Sequence, residues 1–108
     1  MSTLSTHVLD TALGTPAQGI PVTLESGERV LALATTDGDG RVKEFPAGGA
    51  LNKGSYSLTF DVSQYFKRGG RESLYSSIVI QFQITDASAH YHIPLLLSPF
   101  GYSTYRGS

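Results

Sequence analysis

Ile78-Val79-Ile80-Gln81-Phe82-Gln83-Ile84-Thr85 decides the fold class. Ile78, Ile80, Phe82 and Ile84 recur at every second position, with Val79, Gln81, Gln83 and Thr85 between them. A period of two belongs to an extended chain, which turns one face to a core and the other to water or a partner. The same beat returns at Ile20, Val22 and Leu24, and again at Tyr56, Leu58 and Phe60. Turn formers stand between such runs: Gly14-Thr15-Pro16, Glu25-Ser26-Gly27, Asp37-Gly38-Asp39-Gly40, Ala47-Gly48-Gly49 and Gly69-Gly70. Roughly seven or eight short strands spaced in this way predict an all-β chain, an antiparallel sandwich or barrel.

One segment departs from the beat. Asp61-Val62-Ser63-Gln64-Tyr65-Phe66-Lys67-Arg68-Gly69 offers Asp61 as an N-cap, with Gln64 three residues on as in a capping box. Val62, Tyr65 and Phe66 share one helical face, cations sit in the last turn, and Gly69 is placed to close it. A short helix lying on a sheet edge is expected there.

The chain has 108 residues, enough for one core and one domain, residues 1–108. Eight Lys plus Arg stand against nine Asp plus Glu, and no basic run is present to neutralise phosphates, so nucleic acid is not an expected partner. Without cysteine there is no disulfide, no thiolate nucleophile and no thiolate metal site. No apolar run approaches the roughly 20 residues of a membrane helix. Met1 to Thr6 lacks the basic and apolar regions of a signal peptide, which makes cytoplasmic residence the expectation.

Chemistry-bearing residues gather toward the two ends. In His90-Tyr91-His92-Ile93-Pro94-Leu95-Leu96-Leu97, alternation puts Tyr91, Ile93, Leu95 and Leu97 on one face and His90, His92, Pro94 and Leu96 on the other. A strand apolar on both faces is covered on both. A domain this small has one core, so the second face is expected to meet another subunit and to make His92 an interface residue. His7, in Leu4-Ser5-Thr6-His7-Val8-Leu9-Asp10, could join it as a general acid or base, since imidazole titrates near neutrality. His90 and His92 on one strand face could also ligate zinc; with no cysteine and no firm carboxylate ligand, neither a metal nor another cofactor is assigned. Arg41 follows the turn Asp37-Gly38-Asp39-Gly40 and can aim a planar fork of donors at an anionic or carbonyl-rich ligand. Glu44 falls too early for the twelfth position of a calcium loop, which rules that reading out. After the turn Ser98-Pro99-Phe100-Gly101, Tyr102 to Ser108 is expected to run back along the preceding strand and dock Tyr105, Arg106, Gly107 and Ser108 at a fixed place.

Three stretches carry a resemblance over nearly the whole chain: Leu4 to Asp10, Thr36-Asp37-Gly38-Asp39-Gly40-Arg41, and Tyr91 to the closing Tyr105-Arg106-Gly107-Ser108. In these the chain resembles the 5-hydroxyisourate hydrolases, or transthyretin-related proteins. The resemblance implies a transthyretin-like sandwich of two four-stranded sheets with one short helix. It implies a homotetramer, a dimer of dimers with sites at the dimer–dimer interface. It also implies hydrolysis of the cyclic amide of 5-hydroxyisourate to 2-oxo-4-hydroxy-4-carboxy-5-ureidoimidazoline, in urate degradation. On this basis His7, Arg41, His92 and Ser108 are the expected catalytic residues, with Tyr105, Arg106 and Gly107 binding substrate or supporting the terminus. The competing reading is a transthyretin-type carrier of a small aromatic ligand, which would need a channel lined by apolar and small residues.

Overall fold

The computed structural model of the chain describes residues 3–45 and 51–107, so the turn expected at Ala47-Gly48-Gly49 lies outside the described residues. In chain order the elements are β1 (Thr3–Asp10), β2 (Thr15–Pro16), β3 (Pro21–Ser26), β4 (Arg29–Thr35), β5 (Arg41–Phe45), β6 (Gly54–Asp61), α1 (Ser63–Arg68), β7 (Ser77–Ile84), β8 (His90–Ser98) and β9 (Gly101–Thr104). The period-two runs all become strands, and their apolar beats point inward. Val22 and Leu24 of β3, Leu58 and Phe60 of β6, and Ile78 and Ile84 of β7 are buried against Leu4 and Val8 of β1 and Leu95 and Leu97 of β8. One core therefore lies between two sheets, the sandwich expected of such patterning.

One sheet runs β4-β3-β6-β7 and is antiparallel throughout. The other is built on β1. On one side β1 pairs with β8, which carries β9. On the other it pairs with β5 along Leu4 to His7 and with the two-residue β2 at Leu9 and Asp10. The sheet is thus four ranks wide, with β2 continuing the rank that β5 leaves.

The pairing of β1 with β8 is parallel, against the antiparallel expectation. Strands joined by hairpins pair antiparallel, whereas strands far apart in sequence are free of that restriction. This register sets Ser5 beside His92 and His7 beside Pro94. It brings the two ends of the chain together on the sheet's outer face.

The helix also differs in detail. Val62, not Asp61, is the N-cap, and no side chain caps it. Asp61 instead accepts hydrogen bonds from the backbone and hydroxyl of Ser63. At the other end Gly70 (φ 66°), not Gly69, takes the left-handed conformation. The Gly70 N–H donates to the Lys67 carbonyl and the Arg71 N–H to that of Phe66, the pair of bonds of a Schellman closure. That closure delivers Arg71 to Asp10, a carboxylate fully buried at the end of β1. Arg71 Nη2 and the Tyr65 hydroxyl donate to Asp10 Oδ2 at 2.6 and 2.7 Å, and the Ala12 and Leu13 amides donate to Oδ1. Burial opposes the charge on Asp10, but the bonds from Arg71, Tyr65 and Leu13 outweigh it and hold its carboxyl below the ordinary value. The Arg71 guanidinium also lies 5.1 Å from the Phe66 ring centroid. The helix and the turn after it are therefore stitched to the sheet through one buried carboxylate, held by Tyr65 from the helix and by the half-buried Arg71 beyond it.

Candidate active site

Alternation on β1 turns Leu4, Thr6, Val8 and Asp10 inward and leaves Thr3, Ser5, His7 and Leu9 on the outer face. On β8 the outer residues are His90, His92, Pro94 and Leu96, the set expected from the sequence. β5 adds Arg41, whose Cα partner is His7. The loop before it is held by Asp37, whose Oδ1 accepts the amides of Asp39 and Arg41, both at 2.9 Å. Gly40 closes the loop at φ 75°, and an added Cβ there would fall 2.4 Å from the Val8 carbonyl oxygen. Only glycine lets this loop lie so close to β1, and that approach aims Arg41 along the face.

The same loop orients His7. Nε2 of His7 donates to the Asp39 carbonyl at 2.9 Å, which leaves Nδ1 of the neutral ring with the lone pair. Across the face, His92 is half-buried, and its Nδ1 is 2.7 Å from Ser5 Oγ. Its Nε2 has no partner among the described residues and is the nitrogen left for a ligand. Burial lowers the pKa of His92 below the ordinary value; the positive charges of Arg41, His7 and His90 add to the effect and outweigh the bond from Ser5. Near neutral pH the ring is therefore uncharged, the form that can take a proton. Ser5, Thr6, Arg41, Val42, Lys43, His90 and His92 line a cleft of about 230 Å³ here.

The C-terminal segment reaches this cleft by a different route from the continuous strand expected. β9 ends at Thr104, and the chain rejoins β8 only at Gly107, whose amide donates to the His92 carbonyl at 2.7 Å. A Cβ on Gly107 would sit 2.4 Å from His92 Cδ2, so this position requires glycine for the backbone to lie against the imidazole. Between these points Arg106 stacks its guanidinium 4.4 Å from the Tyr91 ring centroid. Tyr105 and Arg106 line a separate groove with Ile80, Phe82, Tyr91 and Ile93, so they do not share the cleft of Arg41 and His92. Arg106 pins the segment that carries Gly107. Ser108 lies outside the described residues. His7, Arg41, His92 and Gly107 are thus gathered on one face, and His90 and Ser5, which the sequence did not mark as site residues for hydrolysis, join them. Among the described residues no three His, Asp or Glu side chains are grouped to hold a metal ion.

The HIUase/Transthyretin family profile matches residues 4–107. The chain belongs to that family. Within the HIUase/Transthyretin family it is 43% identical to 5-hydroxyisourate hydrolase 2 of Rhizobium meliloti (strain 1021), over 97% of this chain and 95% of that one. Its structure superposes on the 5-hydroxyisourate hydrolase of Klebsiella pneumoniae with a TM-score of 0.93 at 45% identity, covering both chains in full. Sea bream transthyretin, solved in complex with thyroxine, follows the same fold with a TM-score of 0.83 at 25% identity, over 96% of this chain and 93% of that one. The transthyretin-like sandwich implied by the resemblance is therefore the fold observed, shared by the hydrolase and the thyroxine-bound transthyretin alike. Fold alone does not separate those two activities.

Proposed function

We propose that this chain hydrolyses 5-hydroxyisourate, opening its cyclic amide to give 2-oxo-4-hydroxy-4-carboxy-5-ureidoimidazoline. The observation that carries the reading is the half-buried His92, its pKa held down and its Nε2 without a partner among the described residues, in a cleft it shares with Arg41, beside His7. The identity to named hydrolases supports it. The reaction needs a base for water, a counter-charge for the tetrahedral oxyanion and a proton for the departing nitrogen. His92 Nε2 takes the proton from water, and its depressed pKa keeps it ready to do so. Arg41 holds the substrate oxygens and offsets their developing charge; loss of such a donor costs about 3–4 kcal/mol in barrier. His7, whose Nδ1 carries a lone pair, accepts a hydrogen bond from the substrate, and the proton for the leaving nitrogen comes back from His92 Nε2. Ser108, next after the glycine bonded to His92, orients the water or an imidazole.

The site is completed by assembly as a dimer of dimers across this outer face. Two features support that reading: Leu9 and Leu96 put apolar surface beside the cleft, and about 230 Å³ is less than the roughly 300–1,000 Å³ of an enclosed small-molecule site. A second wall from a facing copy would close it. A face carrying three imidazoles, a guanidinium and Lys43 is poorly suited to an apolar carrier channel. The test is to generate fresh 5-hydroxyisourate from urate with urate oxidase and follow its ultraviolet absorbance. The chain should hasten decay well beyond the spontaneous rate, and an unchanged decay would refute the assignment.

A further inference from the structure

We infer that Ser5 and His90 are positioning residues that act through His92, forming a line of hydrogen bonds that fixes its basic nitrogen and receives the proton it displaces. The inference rests on the hydrolase reading. Its basis is the parallel register of β1 and β8, which sets Thr3 beside His90 and Ser5 beside His92 on one face. His92 Nδ1 lies 2.7 Å from Ser5 Oγ, Ser5 Oγ lies 2.9 Å from His90 Nε2, and His90 Nδ1 lies 2.5 Å from Thr3 Oγ1. Each ring nitrogen in the line except His92 Nε2 is engaged by a hydroxyl.

A serine hydroxyl has one proton to donate and lone pairs to accept with, so Ser5 must donate to one ring and accept from the other. For His92 to be a base at Nε2, its Nδ1 carries the proton and donates to Ser5. Ser5 then donates to His90 Nε2, and His90 Nδ1–H donates to Thr3. Every donor in that arrangement meets an acceptor. When water gives its proton to His92 Nε2, the Nδ1 proton passes to Ser5 Oγ as the Ser5 proton passes to His90 Nε2. Hydroxide is spent on the substrate carbon, and His92 ends neutral with a proton on Nε2. The positive charge then rests on His90.

Electrostatics favours that destination. The groups facing His92 are His7 from β1, Arg41 and Lys43 from β5, and His90 on its own strand, all able to carry positive charge. His92 is half-buried, whereas His90 is exposed, so water solvates a cation better at His90. When Nε2 then gives its proton to the leaving nitrogen, Ser5 returns a proton to His92 Nδ1 as His90 Nε2 gives one back to Ser5. His92 thus serves first as base and then as acid without remaining a cation beside Arg41.

Three variants and one spectrum test this. In ¹⁵N NMR of the substrate-free protein, His92 should be the Nδ1–H tautomer; a predominant Nε2–H tautomer would overturn the inference whatever the activity. Ser5→Ala should lower kcat by about tenfold or more, the low end of general acid–base effects, with KM little changed and with a curved solvent-deuterium proton inventory becoming linear. Ser5→Thr, which restores the hydroxyl, should recover most of the loss. His90→Gln keeps a polar partner for Ser5 but cannot hold the proton, and should lose kcat as Ser5→Ala does. A wild-type chain that hastens decay while Ser5→Ala or His90→Gln retains full kcat would overturn the line of transfer alone. A wild-type chain without effect on decay would overturn the hydrolase reading instead.

Discussion

The role proposed for His92 rests on surroundings that disfavour its charged form. Burial and the neighbouring cations Arg41, His7 and His90 push its pKa below the ordinary 6.5, so an NMR titration of the ring should find its midpoint under that value. A midpoint at or above 6.5 would contradict the electrostatic account. The sign follows for stability as well: the folded state disfavours the protonated ring, so this contribution is present above the unfolded value and lost as pH falls below it. His7, Arg41 and His92 were legible because each sits in a stretch of strong resemblance at a strand face or strand start. Gly107 was legible as part of a tetrapeptide, but its reason, a backbone laid against an imidazole, needed coordinates. Ser5 was hidden for a different cause. A lone serine on a strand carries no signal until the strand beside it, and its register, are known.

At the scale of elements, strands were readable from a period that local backbone geometry imposes, and the helix was placed to within one residue. Its start shifts because Asp61 serves Ser63 rather than the cap position; Gly69 is the C-cap as expected, and Gly70 after it bears the left-handed turn. The ion pair of Asp10 with Arg71 could not be read, since its partners are 61 positions apart; an acidic residue at an inward beat of β1 was the only hint. Breaking it tests how helix and sheet are joined. Arg71→Ala leaves Asp10 buried with its remaining bonds but no counter-charge, and should cost about 3–5 kcal/mol in a urea titration. A loss under 1 kcal/mol would mean that Tyr65 and the two amides suffice. Because the Asp10 pKa is depressed from 3.8, its share of stability is present above that pH and fades as pH falls below it. The acid limb of the melting temperature should therefore be shallower in Arg71→Ala.

For the whole molecule, the decisive feature is that the first and penultimate strands, β1 and β8, lie side by side in parallel. That pairing turns two distant histidines into neighbours, and strand order and direction of this kind lie beyond what a period-two pattern can supply. It also gathers the site on an outer sheet face rather than in an enclosed pocket, which is why the proposed function calls on a facing copy to close it. Leu96→Asp, which puts a charge on that face beside Pro94, should lower the mass in light scattering, leave the β circular-dichroism spectrum intact and remove activity. A fully active species of reduced mass would show that one chain suffices.

The central claim is that an uncharged imidazole on β8 activates water in this cleft. It is tested most directly by the rate at which His92→Ala, folded as the wild type is, consumes 5-hydroxyisourate freshly made from urate. The account predicts decay no faster than the spontaneous reaction; turnover near that of the wild type would contradict it.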